Sequence, residues 1–154
     1  MNIYGTDGSD TLYGTYSGDY ILGLQGNDAI YGLDGDDVIY GGKGNDYING
    51  GNGNDYLSGD LGSDYLIGGA GYDRFAFSSS GEYGYDRIAD FQAGWGGEVI
   101  QLNGFSGYGI NNFNDVISRT YNISGGSVID LPNNSIQLDG VYAHQLTSSN
   151  FAFY

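Results

Sequence analysis

The sequence predicts an all-β fold: a parallel β-roll followed by a small antiparallel β-sandwich cap. Three observations predict it. A nine-residue unit repeats eight times without a gap from Gly5 to Ala76. Within each unit, glycine, aspartate and one apolar residue hold fixed positions. After the segment Phe75-Ala76-Phe77 the repeat gives way to short β-like runs separated by turns rich in glycine and asparagine.

The units are GTDGSDTLY (5–13), GTYSGDYIL (14–22), GLQGNDAIY (23–31), GLDGDDVIY (32–40), GGKGNDYIN (41–49), GGNGNDYLS (50–58), GDLGSDYLI (59–67) and GGAGYDRFA (68–76). Position 1 is always glycine. Position 4 is glycine except at Ser17. Position 6 is always aspartate. Position 8 is always apolar: Leu12, Ile21, Ile30, Ile39, Ile48, Leu57, Leu66 and Phe75. A period this short and this regular marks a solenoid. Glycine-rich collagen is excluded, because there is no G-X-Y period and only one proline, Pro132.

The pattern resembles the repeats-in-toxin (RTX) calcium-binding nonapeptide, G-G-x-G-x-D-x-U-x, whose fold is a parallel β-helix. Physical chemistry leads to the same architecture. Positions 7 to 9 carry β-favouring residues such as Tyr20, Val38, Tyr47, Tyr56 and Tyr65. Side chains alternate along a strand, so only the middle residue of the three points inward. Positions 1 to 6 are then expected to turn the chain, with glycine at 1 and 4 allowing positive φ and close backbone approach. Two units make one coil of 18 residues with a strand on each side, so eight units make four coils. At about 4.8 Å per layer the roll is roughly 19 Å long.

Units two apart stack, which lines the aspartates up in two files: Asp10, Asp28, Asp46, Asp64 on one edge, and Asp19, Asp37, Asp55, Asp73 on the other. Like charges about 5 Å apart repel by very roughly 1 kcal/mol in water, and by several times that near a protein surface. A cation between successive aspartates reverses the sign. The expected ligands are these eight carboxylates and backbone carbonyls near Gly5, Gly8, Gly23, Gly26, Gly32, Gly35, Gly41, Gly44, Gly50, Gly53, Gly59, Gly62, Gly68 and Gly71. Oxygen-only ligands in irregular geometry select calcium over magnesium or zinc. Pairing each unit with the one two ahead gives six interior sites, from Asp10/Asp28 to Asp55/Asp73, and about four to six calcium ions. The sites using Asp19 are expected to be weakest, because Ser17-Gly18 distorts that turn.

The chain of 154 residues divides at 5–77 for the roll and 78–154 for the cap, with Ser78-Ser79-Ser80-Gly81 at the boundary. Runs at 86–91, 98–102, 116–123, 127–131, 135–138 and 151–153 are expected strands, and no segment has a helical period. This half resembles the segment that follows RTX repeats in secreted bacterial metalloproteases, lipases and alginate-epimerase R-modules. It departs from that pattern where Glu98 and Gln101 replace aspartates after Gly96-Gly97. The resemblance implies a bacterial extracellular protein exported by a type I system that reads an uncleaved C-terminal signal. Asn150 to Tyr154 fits such an end and equally fits an ordinary edge strand. Met1 to Gly5 has neither a basic region nor an apolar stretch, so it is not an export signal and reads as the start of a chain or a cut from a larger one.

Function classes narrow accordingly. The net charge of −15, with Lys43, Arg74, Arg87 and Arg119 as the only Lys or Arg, disfavours nucleic acid and anionic membranes. No apolar run is long enough to span a bilayer. There is no G-x-S-x-G and no H-E-x-x-H, and His144 is the single histidine. No catalytic site is expected. The leading reading is a non-catalytic module, a monomer or part of a larger chain, that folds on calcium outside the cell and supports a larger secreted protein. A polysaccharide-binding module, an adhesin and a surface-layer fragment are the alternatives. Tyrosines recur on the outward faces (Tyr13, Tyr31, Tyr47 and Tyr65 on one side, Tyr20 and Tyr56 on the other), where they either cover the roll or stack on sugar rings of a neutral polysaccharide.

Overall fold

The computed structural model describes residues 1–80, 84–94 and 97–154. Gly81 of the boundary tetrapeptide and Gly96 of the later loop lie outside the described residues. The repeats form β1 (Asn2–Tyr4), β2 (Thr11–Tyr13), β3 (Tyr20–Gln25), β4 (Ala29–Asp34), β5 (Val38–Lys43), β6 (Tyr47–Asn52), β7 (Tyr56–Leu61), β8 (Tyr65–Ala70) and β9 (Arg74–Ser78). The remaining strands are β10 (Gly84–Ile88), β11 (Val99–Asn103), β12 (Thr120–Ile123), β13 (Gly126–Leu131), β14 (Asn134–Asp139) and β15 (Phe151–Phe153). They build two sheets, one of order β1-β3-β5-β7-β9-β11-β15 and one of order β12-β13-β14-β10-β8-β6-β4-β2.

Within the repeats every strand pairs in parallel with the one two ahead, as the 18-residue coil predicts: Ile21 lies beside Ile39, and Ile30 beside Ile48. Position 8 from Ile21 to Phe75 has no solvent exposure and forms the spine of the core. Most repeat strands are longer than expected, running from position 7 through position 3 of the next unit, as in Tyr20–Gln25. Positions 1 to 3 therefore continue the strand, and the position-1 glycine is a second inward residue, buried at Gly23, Gly32, Gly41, Gly50, Gly59 and Gly68.

Positive φ falls at position 4, from Gly26 (119°) to Gly71 (145°), and not at position 1. It also falls at position 2, where Gly42, Gly51 and Gly69 share it with Leu24, Leu33 and Asp60. Position 1 needs glycine for a different reason, which is space. An ideal Cβ on Gly41 would stand 2.3 Å from Asp46 Oδ2 and 2.8 Å from the Gly59 carbonyl oxygen.

Position 4 combines both demands. A Cβ on Gly44 (φ 134°) would stand 1.8 Å from the Gly26 carbonyl oxygen. Gly44→Ala should therefore destabilise the calcium-loaded protein by about 3 kcal/mol or more in urea unfolding. Gly125→Ala is the control: φ is 92° there but nothing lies within 4 Å, so the cost should be about 1–2 kcal/mol.

The small antiparallel sandwich expected for the C-terminal half does not form. Instead, β10 adds in parallel to β8 and β11 to β9, and β14 and β15 continue the same two sheets in parallel. Among the described residues, antiparallel pairing is confined to β12/β13 and β13/β14. The reason lies in the apolar register. Ile88 stacks on Leu66 and Ile100 on Phe75, so the spine continues and the open ladder edges of β8 and β9 are satisfied. The run expected at 116–123 also divides. Residues Phe113–Ile117 form a short helix, α1, because Asn112 and Asp115 make a reciprocal capping box, and β12 begins only at Thr120. Short 3₁₀ turns precede α1 at Phe105–Tyr108 and follow β14 at Ala143–Gln145 and Ser148–Asn150.

Candidate metal centre

The parallel register brings the position-6 aspartates into the two expected files, and the contact between neighbours is direct. In each file the backbone N–H of one aspartate donates to Oδ1 of the aspartate one coil ahead. The bonds are Asp10 to Asp28 (2.8 Å), Asp28 to Asp46 (2.8 Å) and Asp46 to Asp64 (2.8 Å) on one edge. They are Asp19 to Asp37 (2.7 Å), Asp37 to Asp55 (2.8 Å) and Asp55 to Asp73 (2.9 Å) on the other. This bond fixes each carboxylate and turns its second oxygen into the coil.

That second oxygen is where the chemistry lies. Oδ2 of Asp28, Asp37, Asp46, Asp55, Asp64 and Asp73 is buried and accepts no hydrogen bond. Buried carboxylate oxygens without a partner are costly. Each sits against the position-1 glycine of its own unit, and at Gly23, Gly32, Gly41 and Gly50 the carbonyl oxygen of a later position-1 glycine meets the same space, as at Gly23 with Asp28 Oδ2 and the Gly41 oxygen. The carbonyls of Gly41, Gly50, Gly59 and Gly68 thus share a space with the orphan oxygens of Asp28, Asp37, Asp46 and Asp55. The Gly32 carbonyl meets Asp19 Oδ2, which already accepts from Thr15. Position-4 carbonyls face the backbone of the next coil: Gly26, Gly35, Gly44 and Gly53 oxygens meet Gly44, Gly53, Gly62 and Gly71. Among the described residues no three carboxylate or imidazole side chains converge. A cation between coils would therefore be held by aspartate oxygens and carbonyls together, a donor set that suits calcium.

The first two units differ from the rest. Thr6 donates its N–H (2.6 Å) and hydroxyl (2.8 Å) to Asp10 Oδ2, and Thr15 does the same for Asp19 (2.6 and 2.9 Å). Despite the Ser17-Gly18 substitution, Asp19 keeps its file geometry.

Both files extend beyond the nonapeptides. Asp64 N–H donates to Asp86 Oδ1 (2.8 Å), and Asn134 Nδ2 closes Asp86 Oδ2 (2.7 Å). On the other edge Val99 N–H donates to the Asp73 carbonyl (2.9 Å), which puts Glu98 in the next file position. Its Oε2 accepts from Gln92 N–H (2.9 Å), while Oε1 is buried and unpartnered. Asp90 lies near and accepts from the N–H groups of Gly68 and Gly69 (3.0 and 2.8 Å). Sequence reading missed Asp86 and Asp90 as parts of the files. One signal could have found Asp86: Gly84-Tyr85-Asp86-Arg87-Ile88 nearly repeats Gly71-Tyr72-Asp73-Arg74-Phe75.

A second ladder also escaped notice. At position 5, Asn45 N–H donates to Asn27 Oδ1 (2.8 Å), Ser63 N–H to Asn45 Oδ1 (2.8 Å), and Asn54 N–H to Asp36 Oδ1 (2.8 Å). These side chains clip successive coils together outside the aspartate files.

Burial is the largest influence on the raised file carboxyls, and neighbouring carboxylates add to it at Asp37, Asp46, Asp55, Asp64 and Glu98. It pushes Asp37 and Asp46 up to about 6, Asp55 to about 7, Asp64 and Glu98 to about 8, and Asp86 to about 6. Unfolded carboxyls titrate at about 3.9–4.3. Between these ranges the folded, metal-free roll binds more protons than the unfolded chain, so its stability falls as pH rises. Calcium-stripped protein should therefore show more β-structure by circular dichroism at pH 5 than at pH 8. Calcium-loaded protein should show the reverse sensitivity, needing more calcium at pH 5 because protons compete for the same oxygens.

The model of the RTX calcium-binding nonapeptide repeat matches residues 4–39, 13–48, 22–57 and 40–75. None of the curated proteins compared matches the chain. Among solved structures, the AlgE6R3 subunit of the Azotobacter vinelandii mannuronan C5-epimerase is similar, at 24% identity and a TM-score of 0.53, over 96% of this chain and 80% of that one. The extracellular lipase LipA from Serratia marcescens is similar at 15% identity and a TM-score of 0.50, over 99% of this chain. The chain spans only 40% of that lipase. At these identities the likeness establishes the fold.

Proposed function

We propose, from the match of residues 4–75 to the RTX calcium-binding nonapeptide repeat model, that calcium ions between successive coils complete the fold of this chain. The observation that carries the proposal is the set of six buried, unpartnered Oδ2 atoms, on Asp28, Asp37, Asp46, Asp55, Asp64 and Asp73. Each ion would be held by aspartates of adjacent coils and by position-1 carbonyls such as those of Gly41 and Gly59. Calcium supplies positive charge where the files repel, and the chain supplies a rigid, dry set of oxygens. The files hold four to six ions: Asn134 occupies the Asp86 oxygen at one end, and Thr6 and Thr15 occupy Asp10 and Asp19 at the other.

Such a module is unfolded where calcium is scarce and folded where it is plentiful. That suits a segment of a larger bacterial protein that leaves the cell through a type I exporter and folds outside. The test is ion counting by native mass spectrometry and equilibrium dialysis in millimolar calcium. Four to six calcium ions per chain are expected, with magnesium at equal concentration binding much less. One ion or none, or equal loading by magnesium, would overturn the proposal.

A further inference from the structure

The outer face of the eight-stranded sheet carries a continuous aromatic stripe. Tyr13 stacks on Tyr31 (5.2 Å between ring centroids, 11° between planes), Tyr31 meets Tyr47 at 5.6 Å, and Tyr47 stacks on Tyr65 (5.6 Å, 6°). Arg87 closes the row over the Tyr65 ring at 5.4 Å. Beside Tyr31 the stripe opens into a groove of about 230 Å³ lined by Tyr16, Tyr31, Leu33, Asp34, Asn49 and Asn52.

Three features of this groove have no role in the metal files. Tyr16 is 82% exposed, an aromatic ring held in water with nothing covering it. Leu33 holds a φ of 82° in register with Gly51, which shows that the backbone there favours glycine, yet an apolar side chain stands there, 37% exposed. Asn52 Nδ2 donates to Asp34 Oδ1 (2.7 Å), leaving Asp34 Oδ2 and Asn52 Oδ1 at the groove, and the Asn49 side-chain amide has no partner among the described residues. Strained and exposed groups of this kind gather at binding sites.

We propose that this groove binds an uncharged oligosaccharide through one hexopyranose ring. The apolar C–H face of the sugar packs on Tyr16, Tyr31 and Leu33. Asp34 accepts from ring hydroxyls, while Asn49 and Asn52 donate and accept at the rim. Size and charge select this ligand. The groove is too small for a protein partner, whose interface needs roughly 1,000 Å² or more. A polyanionic glycan meets a chain of net charge −15. Neighbouring rings in the stripe lie 5.2–5.6 Å apart, so further sugar units of the same chain can follow it.

The inference stands apart from the calcium reading except that the roll must be folded. The test is affinity electrophoresis of the full chain in millimolar calcium through gels containing hydroxyethylcellulose, galactomannan, dextran or a polyuronate, with circular dichroism on the same samples. Retardation by at least one neutral polymer is expected. Tyr16→Ala and Leu33→Gly should each weaken it at least tenfold without changing the calcium-loaded spectrum. Leu33→Gly installs the residue found at Gly51, so the fold is kept. Absence of retardation by all three neutral polymers, retardation by polyuronate alone, or retardation that survives both substitutions would overturn the proposal.

Discussion

Calcium-stripped protein at neutral pH should lose most of the β-structure of residues 5–76 and regain it steeply as calcium is added. Extracellular calcium modules bind with dissociation constants on the order of 10⁻⁴ to 10⁻³ M. At about ten times that concentration each ion adds roughly 1.4 kcal/mol by mass action. Six ions would add about 8 kcal/mol, against a typical whole-domain stability of roughly 5–15 kcal/mol. Removal also leaves six orphan oxygens buried in a chain of charge −15. The transition should be steep because each ion bridges two coils and orders the carboxylate that the next ion uses. Circular dichroism with amide exchange of residues 5–76, with and without chelator, reads it directly. Strong protection in excess chelator would show that the spine from Ile21 to Phe75 suffices alone.

The second large effect belongs to a single residue in the middle of a file. Asp46 Oδ1 accepts the Asp28 N–H, and its Oδ2 is one of the orphans. Asp46→Ala removes a ligand from two ions, roughly 2.8 kcal/mol at the same excess, and strands a buried N–H worth about 1–3 kcal/mol more. The calcium-loaded protein should lose roughly 4–6 kcal/mol in urea unfolding. Asp10→Ala touches one end site and should cost roughly 1–2 kcal/mol. Asp46→Asn separates the two causes. The amide still accepts from Asp28 but carries no charge, so calcium affinity should fall while the metal-free protein becomes more structured than the wild type. Equal losses for Asp46→Ala and Asp10→Ala would mean the files do not work as chains of shared ligands.

The roll, its coil of 18 residues and both aspartate files were legible in the sequence because one period fixed all of them. The end of the stack was not, because its period breaks while its register does not. From Asp64 to Asp86 the step is 22 residues, and from Asp73 to Glu98 it is 25, although both pairs occupy successive coils. Insertions in the turns hide a match that strand pairing preserves. Glu98 stands out in the sequence as a departure from aspartate, but its partners, the Gln92 N–H on Oε2 and the Asn150 amide on its backbone carbonyl, lie outside the repeat pattern. The position-5 ladder was hidden for another reason. Serine, asparagine and aspartate are interchangeable as acceptors for one N–H, so Ser9, Asn27, Asp36 and Asn45 read as an unconstrained column. Positive φ at Leu24, Leu33 and Asp60 was likewise out of reach, since only the glycines at neighbouring coils betray it.

The parallel continuation of both sheets into the C-terminal half gives the molecule a direction. A stack whose coils touch only their neighbours grows like a one-dimensional crystal, and the costly step is the first layer. Here that layer exists in the least repetitive part of the chain. β10 and β11, held by β14 and β15, present a finished surface of apolar side chains and open ladder groups to β8 and β9. β10, β11, β14 and β15 are thus expected to act as a seed crystal, with order spreading from them toward the first coil, each layer setting the template for the one before it in sequence.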